Sequence, residues 1–177
     1  MLVVKLANNE FINRQTYDGL TALHYASFRG NLDTIKYLTD NGANPFTKDK
    51  DGHNVIHIAS QGDKVSAIYF FLKNFNFDIN DEDKRNSTAL HWAAYLNKEI
   101  SLSYLIAWGA KVNSTDVEDN TPLHLAVASS ETVKETRCAK ILLLRGADRE
   151  AENKNAKKPV DLVKPGEMKQ ELLTILK

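Results

Sequence analysis

The chain has 177 residues, 42% hydrophobic and 26% charged, a balance that excludes an intrinsically disordered protein. Its 23 basic and 23 acidic side chains cancel, so no global field draws it to nucleic acid or an anionic membrane. A single cysteine, Cys138, excludes an internal disulfide and fits a reducing compartment, so a cytoplasmic chain is expected. Apolar runs such as Ala67 to Leu72 are too short to cross a bilayer, and residues 1–6 lack the charged start and cleavage site of a signal peptide.

One phrase recurs four times: Thr21-Ala22-Leu23-His24, Asn54-Val55-Ile56-His57, Thr88-Ala89-Leu90-His91 and Thr121-Pro122-Leu123-His124. His24 to His57 is 33 residues, His57 to His91 is 34 and His91 to His124 is 33, a period that marks stacked repeat units. In chain order, residues 1–12 come first. Leu2 to Asn13 aligns with Leu102 to Asn113, so it reads as the second helix of a partial leading repeat, as in a piece of a longer protein.

Unit one, residues 13–46, opens on Asp18-Gly19, a turn signal because glycine accepts positive φ. Thr21 is then a helix N-cap, Leu23, Ala26 and Ser27 make a short first helix to about Gly30, and Leu32, Ile35 and Leu38 form the stripe of a second. Gly42 supplies a left-handed close. Unit two, residues 47–79, repeats this with Gly52 at the turn but ends on Asn76-Phe77; Phe75 and Phe77 break the pattern and are expected to reshape one edge. Unit three, residues 80–113, and unit four, residues 114–149, carry Asn86 and Asp119 at the turn, the next best residues at positive φ. Unit four also keeps Pro122 at the first helical position. From His124 to Gly146 is 22 residues, against 18 from His24 to Gly42. This insertion is expected within Ser129 to Arg137, in the loop or at the start of the second helix. Residues 150–177 form a shortened capping repeat, with Lys158-Pro159-Val160-Asp161-Leu162 followed by a helix that turns Leu172, Leu173 and Leu176 inward.

These residues resemble the ankyrin repeat family, whose Asp-Gly, Thr-Pro-Leu-His-x-Ala and Gly-Ala pattern recurs from about Asn13 to Asp148. The resemblance implies one all-α domain over residues 1–177, a solenoid of helix-turn-helix units with short β-turn fingers. It also implies a non-catalytic module that binds a protein or extended peptide on its concave face, as a monomer. Onto that face the family's variable positions map Tyr17, Asp18, Leu20, Phe28 and Arg29; Lys50, Asp51, His53 and Gln61; Lys84, Arg85, Ser87, Tyr95 and Leu96; and Val117, Glu118, Asn120, Ala128 and Ser129. Tyr17, Leu20, Phe28, Arg29, Trp92, Tyr95, Leu96 and Val117 are the expected partner contacts, with Tyr17, Phe28, Tyr95 and Trp92 as anchors. Trp92 shares a register position with Tyr25 and Leu125, so packing between repeats is an equal role for it.

The repeated histidines sit one unit apart along the stack and cannot converge on one metal ion; each is expected to bond its threonine and nearby backbone. His53, in a turn, is expected to be exposed or part of a partner surface. Cys138 falls in a second helix without a nearby base and reads as a small buried hydrophobe. The runs Lys48 to Asp51 and Asp81 to Arg85 read as solvated finger tips or specificity contacts. No phosphate-binding loop, metal cluster or catalytic triad is present, so neither catalytic residue, metal nor cofactor is expected. Two stretches are also similar to the ankyrin region of Asp-His-His-Cys palmitoyltransferases: Asn86 to Tyr95 with Leu102 to Gly109, and Thr136 to Leu143 with Gly146 to Arg149. That likeness implies a cytosolic, substrate-recruiting segment of such a membrane enzyme, without direct membrane insertion of its own. An ankyrin effector or inhibitor docking on the same face is a further alternative.

Overall fold

The first four finger turns are each completed by a residue that tolerates positive φ, Gly19 at 83°, Gly52 at 89°, Asn86 at 56° and Asp119 at 58°, and the last by Ala156 at 52°. The computed structural model describes residues 11–176, so most of the leading half-repeat expected over residues 1–12 lies outside the described residues. Behind the turns, among the described residues, run nine complete α-helices: α1 (Ala22–Arg29), α2 (Leu32–Asp40), α3 (Val55–Gln61), α4 (Val65–Asn74), α5 (Ala89–Tyr95), α6 (Glu99–Ala107), α7 (Pro122–Val133), α8 (Arg137–Leu144) and α9 (Lys169–Ile175). Between α8 and α9, Pro159–Leu162 forms a 3-10 turn. The only β-pairing among the described residues is an isolated antiparallel bridge between Glu82 and Thr88.

The helices alternate between two rows. First helices α1, α3, α5 and α7 pack in sequence and end against the 3-10 turn, while second helices α2, α4, α6 and α8 pack behind them. Leu23, Ile56, Leu90 and Leu123, from one position of the four units, are all buried. So are Ile35, Ile68 and Leu102 in the second row. Each fully buried aliphatic side chain contributes about 1.5–3 kcal/mol by removal from water. A solenoid thus divides its core into layers, each repeat covering the next. Leu172 and Leu176 close the last layer, with Leu173 half-buried.

The fingers are tied backbone to backbone. Lys50 N donates to Asp18 O at 2.9 Å, Lys84 N to Asp51 O at 2.9 Å, Val117 N to Arg85 O at 2.8 Å and Lys154 N to Glu118 O at 3.0 Å. The repeated histidine adds a second tie. In α1 and α5 its Nδ1 accepts from the N-cap amide at 3.1 Å, and the threonine hydroxyl lies 2.9 Å and 3.0 Å from the same nitrogen. Its Nε2 then carries the proton and donates to the next unit: His91 to Asn120 O at 3.2 Å and His124 to Lys157 O at 3.0 Å. His57 likewise reaches Ser87 O at 3.1 Å, while His24 Nε2 faces the His53 carbonyl without hydrogen-bonding geometry. These are the fasteners the spacing predicts.

Two departures from the regular unit have specific causes. Unit four's extra residues lengthen the first helix, not the loop or the second helix. α7 has 12 residues against 7 or 8 in α1, α3 and α5, and ends at Lys134 with φ 58°. Nothing between Ser129 and Val133 breaks a helix, and Glu131 accepts the Met168 amide at 2.6 Å, which holds the extension against the cap. In unit two, Phe75 is extended (φ −135°) where other units place a left-handed glycine. One extra residue follows, and Phe77 is brought beside Phe46 of the preceding unit, with ring centroids 4.7 Å apart.

Candidate partner-binding face

At the head of every finger stands an oxygen that closes the turn. Asp49 Oδ1 accepts from the amides of Asp51 at 3.0 Å and His53 at 2.8 Å, and Asp83 Oδ1 from Arg85 at 2.7 Å and Ser87 at 2.9 Å. Asp116 does the same for Glu118 and Asn120, and Asn153 for Asn155 and Lys157. In the first finger Thr16 Oγ1 accepts from Leu20 N at 3.1 Å. Nine amides that would otherwise be orphaned are satisfied in one manner. Sequence reasoning missed these residues, Asp49 and Asp83 because they sit inside charged runs. The signal was their spacing: 33 residues from Thr16 to Asp49, 34 to Asp83 and 33 to Asp116.

The second and third fingers enclose a buried charged cluster. His53 is only 8% exposed, which corrects its expected place at the surface. Its Nδ1 lies 2.9 Å from Asp49 Oδ2 and its Nε2 3.4 Å from Asp83 Oδ2, so both ring nitrogens point at carboxylates. Asp83 Oδ2 also accepts the indole N–H of Trp92 at 2.9 Å, and the Trp92 ring meets His53 edge-on at 4.9 Å. Burial alone would lower the His53 pKa, but hydrogen bonds and charge from Asp83 and Asp49 outweigh it and raise it above the ordinary value. Burial alone would raise that of Asp83. Donation from His53, Trp92 and the Ser87 and Arg85 amides instead holds it well below the usual carboxylate range. Asp49, Asp51 and His53 bring ligand-type atoms within 4.8 Å of one another, yet both Asp49 oxygens already accept protein hydrogen bonds. The group is a turn lock in its chemistry.

The expected contacts fall into separate places. Tyr17 is 87% exposed at the first finger tip, with Lys50 Nζ 3.3 Å from its ring centroid. Phe28 and Tyr95 share one position on α1 and α5 and are 45% and 46% exposed; Arg29 is exposed, and Leu20 is half-buried. Trp92 and Tyr95 meet edge-on at 6.4 Å and line, with Leu125, a pocket of about 270 Å³ rimmed by Arg85. Leu96 does not join them: it lines a different depression, with Ile100 and Val133. Val117 is half-buried, and its backbone carries the finger tie from Arg85 and accepts Lys154 Nζ. Ser87 and Ser129, mapped as variable positions, are buried. Trp92 packs and lines the pocket at once, while Tyr25 at its register position is exposed and Ile58 is buried. Cys138 is buried as expected, its thiol pushed up to about 12 by burial and then by Glu99, Asp63 and Glu135.

The repeated hydrogen-bonded unit has a counterpart among known proteins. A family model described as ankyrin repeats, in three copies, matches residues 1–83 and again 56–154. The chain belongs to the ankyrin repeat family. Ankyrin repeats are non-catalytic protein-interaction modules. Palmitoyltransferase AKR1 of Lachancea kluyveri is 33% identical over 131 residues, covering 72% of this chain and 17% of that protein. Inversin of Canis lupus familiaris is 31% identical over 130 residues, covering 72% and 12%. A transient receptor potential cation channel subfamily A member 1 homolog of Caenorhabditis elegans is 33% identical over 119 residues, covering 67% and 9%. The chain therefore spans less than a fifth of each of these relatives. Among the described residues no helix is long and apolar enough to cross a membrane.

Proposed function

We propose that the concave face holds a partner protein or an extended peptide, with the chain acting as a monomer. The observation that carries this reading is the exposure of Phe28 and Tyr95 at one register position, beside the pocket of Trp92, Tyr95 and Leu125. Rigid aromatic rings next to a partly desolvated pocket are the usual site of binding energy. Tyr17 and Arg29 extend the contact toward the first unit, and Leu20 and Val117 border it. Leu96 contributes from the neighbouring depression if the partner wraps over the helix ends. The test is affinity capture with the isolated chain, quantified by mass spectrometry, against Phe28→Ala and Tyr95→Ala. Both variants should lose the captured partner while melting near the parent temperature. Equal capture by all three proteins would place the binding surface elsewhere.

A second, finer reading is that this chain recruits substrates, on the cytosolic side, for a membrane palmitoyltransferase. It is favoured by the likeness to palmitoyltransferase AKR1 of two yeasts, 33% and 24% identical. Sequencing the transcript beyond Lys177 decides it. Hydrophobic spans with a cysteine-rich Asp-His-His-Cys region would support the enzyme, and a continuous open frame without them would exclude it.

A further inference from the structure

The row of second helices turns aromatic side chains outward. Tyr37, Phe70 and Tyr104 follow the buried Ile35, Ile68 and Leu102 by two residues, and Tyr37 and Tyr104 are exposed. One position earlier, other units carry Lys36, Ser103 and Lys140, but α4 carries an exposed Tyr69. Trp108 stands at the end of α6, 5.9 Å from Tyr69 and 5.3 Å from Tyr104 between ring centroids. The cause of the opening beside it lies in unit two, where Phe75 and Phe77 replace the tight glycine-alanine close.

Two grooves result, and they meet at Tyr69 and Lys73. One, about 320 Å³, lies on Leu32, Tyr69 and Phe70, with Lys36 and Lys73 at its edge. The other, about 510 Å³, lies on Leu72, Phe77 and Trp108. No carboxylate lines the first groove. Asp78, in the second, already accepts the Asn80 amide at 2.9 Å. Among the described residues Lys36 and Lys73 form no ion pair, and Lys73 Nζ sits 5.6 Å from the Tyr69 ring centroid. The floor is thus apolar, and the first groove carries two positive charges at its edge with no carboxylate in its lining, while Asp78 supplies an acid to the second.

We infer that this back face is a second docking surface, for an acidic amphipathic helix of a partner protein. Its grooves run between helices and offer no strand edge, so they accept apolar side chains at helical spacing, whereas an added β-strand would find no ladder to join. The unpaired lysines select carboxylates flanking those anchors and disfavour a basic helix. This surface shares no residue with the concave face and does not depend on the reading proposed for it.

The test uses a synthetic helix of about 18 residues, with Leu and Phe on one face and Glu beside them, and its twin with Lys in place of Glu. Amide NMR shifts and fluorescence anisotropy report where and how tightly each binds. The acidic peptide should perturb Tyr69, Lys73 and Trp108. Its affinity should fall about tenfold for Tyr69→Ala and for the Lys36→Glu/Lys73→Glu pair, yet be unchanged for Phe28→Ala and Tyr95→Ala. Circular dichroism melting confirms that these exposed substitutions leave the fold intact. Equal binding of the two peptides, or shifts confined to the concave face, would overturn the inference. So would self-association in sedimentation that Tyr69→Ala abolishes, since the occupant would then be a second copy. Binding to phosphatidylcholine–phosphatidylserine vesicles that the same variant abolishes would overturn it in favour of a lipid surface.

Discussion

Replacing Asp83 tests the link between the second and third fingers directly. Asp83 Oδ1 closes the third finger through two amides, and Oδ2 receives Trp92 Nε1 at 2.9 Å and faces His53 Nε2 at 3.4 Å. Its side chain is 1% exposed, so water does not substitute for it. Asp83→Ala leaves the buried Ser87 amide, the Trp92 indole and the His53 imidazole without an acceptor. At about 1–3 kcal/mol for each unsatisfied donor, with some relaxation, the loss should be about 3–5 kcal/mol. Asp83→Asn keeps the amide acceptor but sets an NH₂ against the indole and imidazole donors. Asn153 shows why the substitution is only partly tolerable: in the last finger the Nδ2 atom meets an acceptor, Asn120 Oδ1, at 2.8 Å. The asparagine variant should therefore lose about 1–3 kcal/mol. It should also lower the His53 pKa, because one of the two carboxylates that raise it is gone. Urea unfolding followed by circular dichroism gives the first quantity, and ring NMR titration the second. A loss below about 1 kcal/mol for Asp83→Ala, or an unmoved His53 titration in Asp83→Asn, would refute the account of this cluster.

Other expectations are as direct. Burial lowers the pKa of His24 and His91, partly opposed by nearby carbonyls and aspartates, so in the folded state both should stay neutral while unfolded histidine takes up a proton. Their contribution to stability is then complete above the unfolded value near 6.5 and is lost as pH falls below it. Ring nitrogen shifts at pH 6 should show neutral His57, whose pKa burial lowers to about 4, with the proton on Nε2 toward Ser87 O; a charged His57 there would contradict the hydrogen-bond pattern. Leu90→Ala should cost about 2–5 kcal/mol as a core truncation, read as a shift in the urea midpoint; an unmoved midpoint would deny its burial. Gly62 has an ordinary negative φ, but an added Cβ would overlap the carbonyl oxygen of Phe28. Gly62→Ala should thus lose about 1–3 kcal/mol, and a neutral result would mean that α1 and α3 have room to part. Folded Cys138 should resist iodoacetamide at pH 8 and react only in urea; rapid labelling without denaturant would show an accessible thiolate.

What was legible in the chain was whatever local chemistry fixes at constant spacing. The turn residues Asn86 and Asp119 could be read from their tolerance of positive φ, and the histidines from their register beside threonine. Asp83 was hidden because it lies among Asp81, Glu82, Lys84 and Arg85, where composition reads as solvated surface. His53 was misjudged for the same reason: a turn histidine is ordinarily exposed, and its partners Asp49 and Asp83 come from two different fingers. Phe75 and Phe77 announced a break, but its result depends on Phe46, contributed by the unit before. The length of the insertion in unit four could be counted. Its place could not, because Ser129 to Val133 suits a longer first helix as well as a loop until Glu131 meets the cap.

The fingers show how one short segment combines a fixed scaffold with variable side chains. Contacts between neighbouring fingers use main-chain atoms at Asp18 and Lys50, Asp51 and Lys84, Arg85 and Val117, Glu118 and Lys154. Because the backbone makes those ties, the side chains at the tips are left free to differ, and they do: tyrosine, lysine, arginine and valine appear there. The residue that heads each finger has no such freedom, since its side-chain oxygen must accept amides of its own turn. Adjacent positions such as Asp83 and Lys84 are therefore constrained differently, one held by the amides of its own turn and the other free to vary. The Trp92 indole bridges scaffold and exposed surface. It spends its polar edge on Asp83 and presents part of its ring to the pocket beside Tyr95, so a change in the scaffold at Asp83 reaches that pocket through a single hydrogen bond.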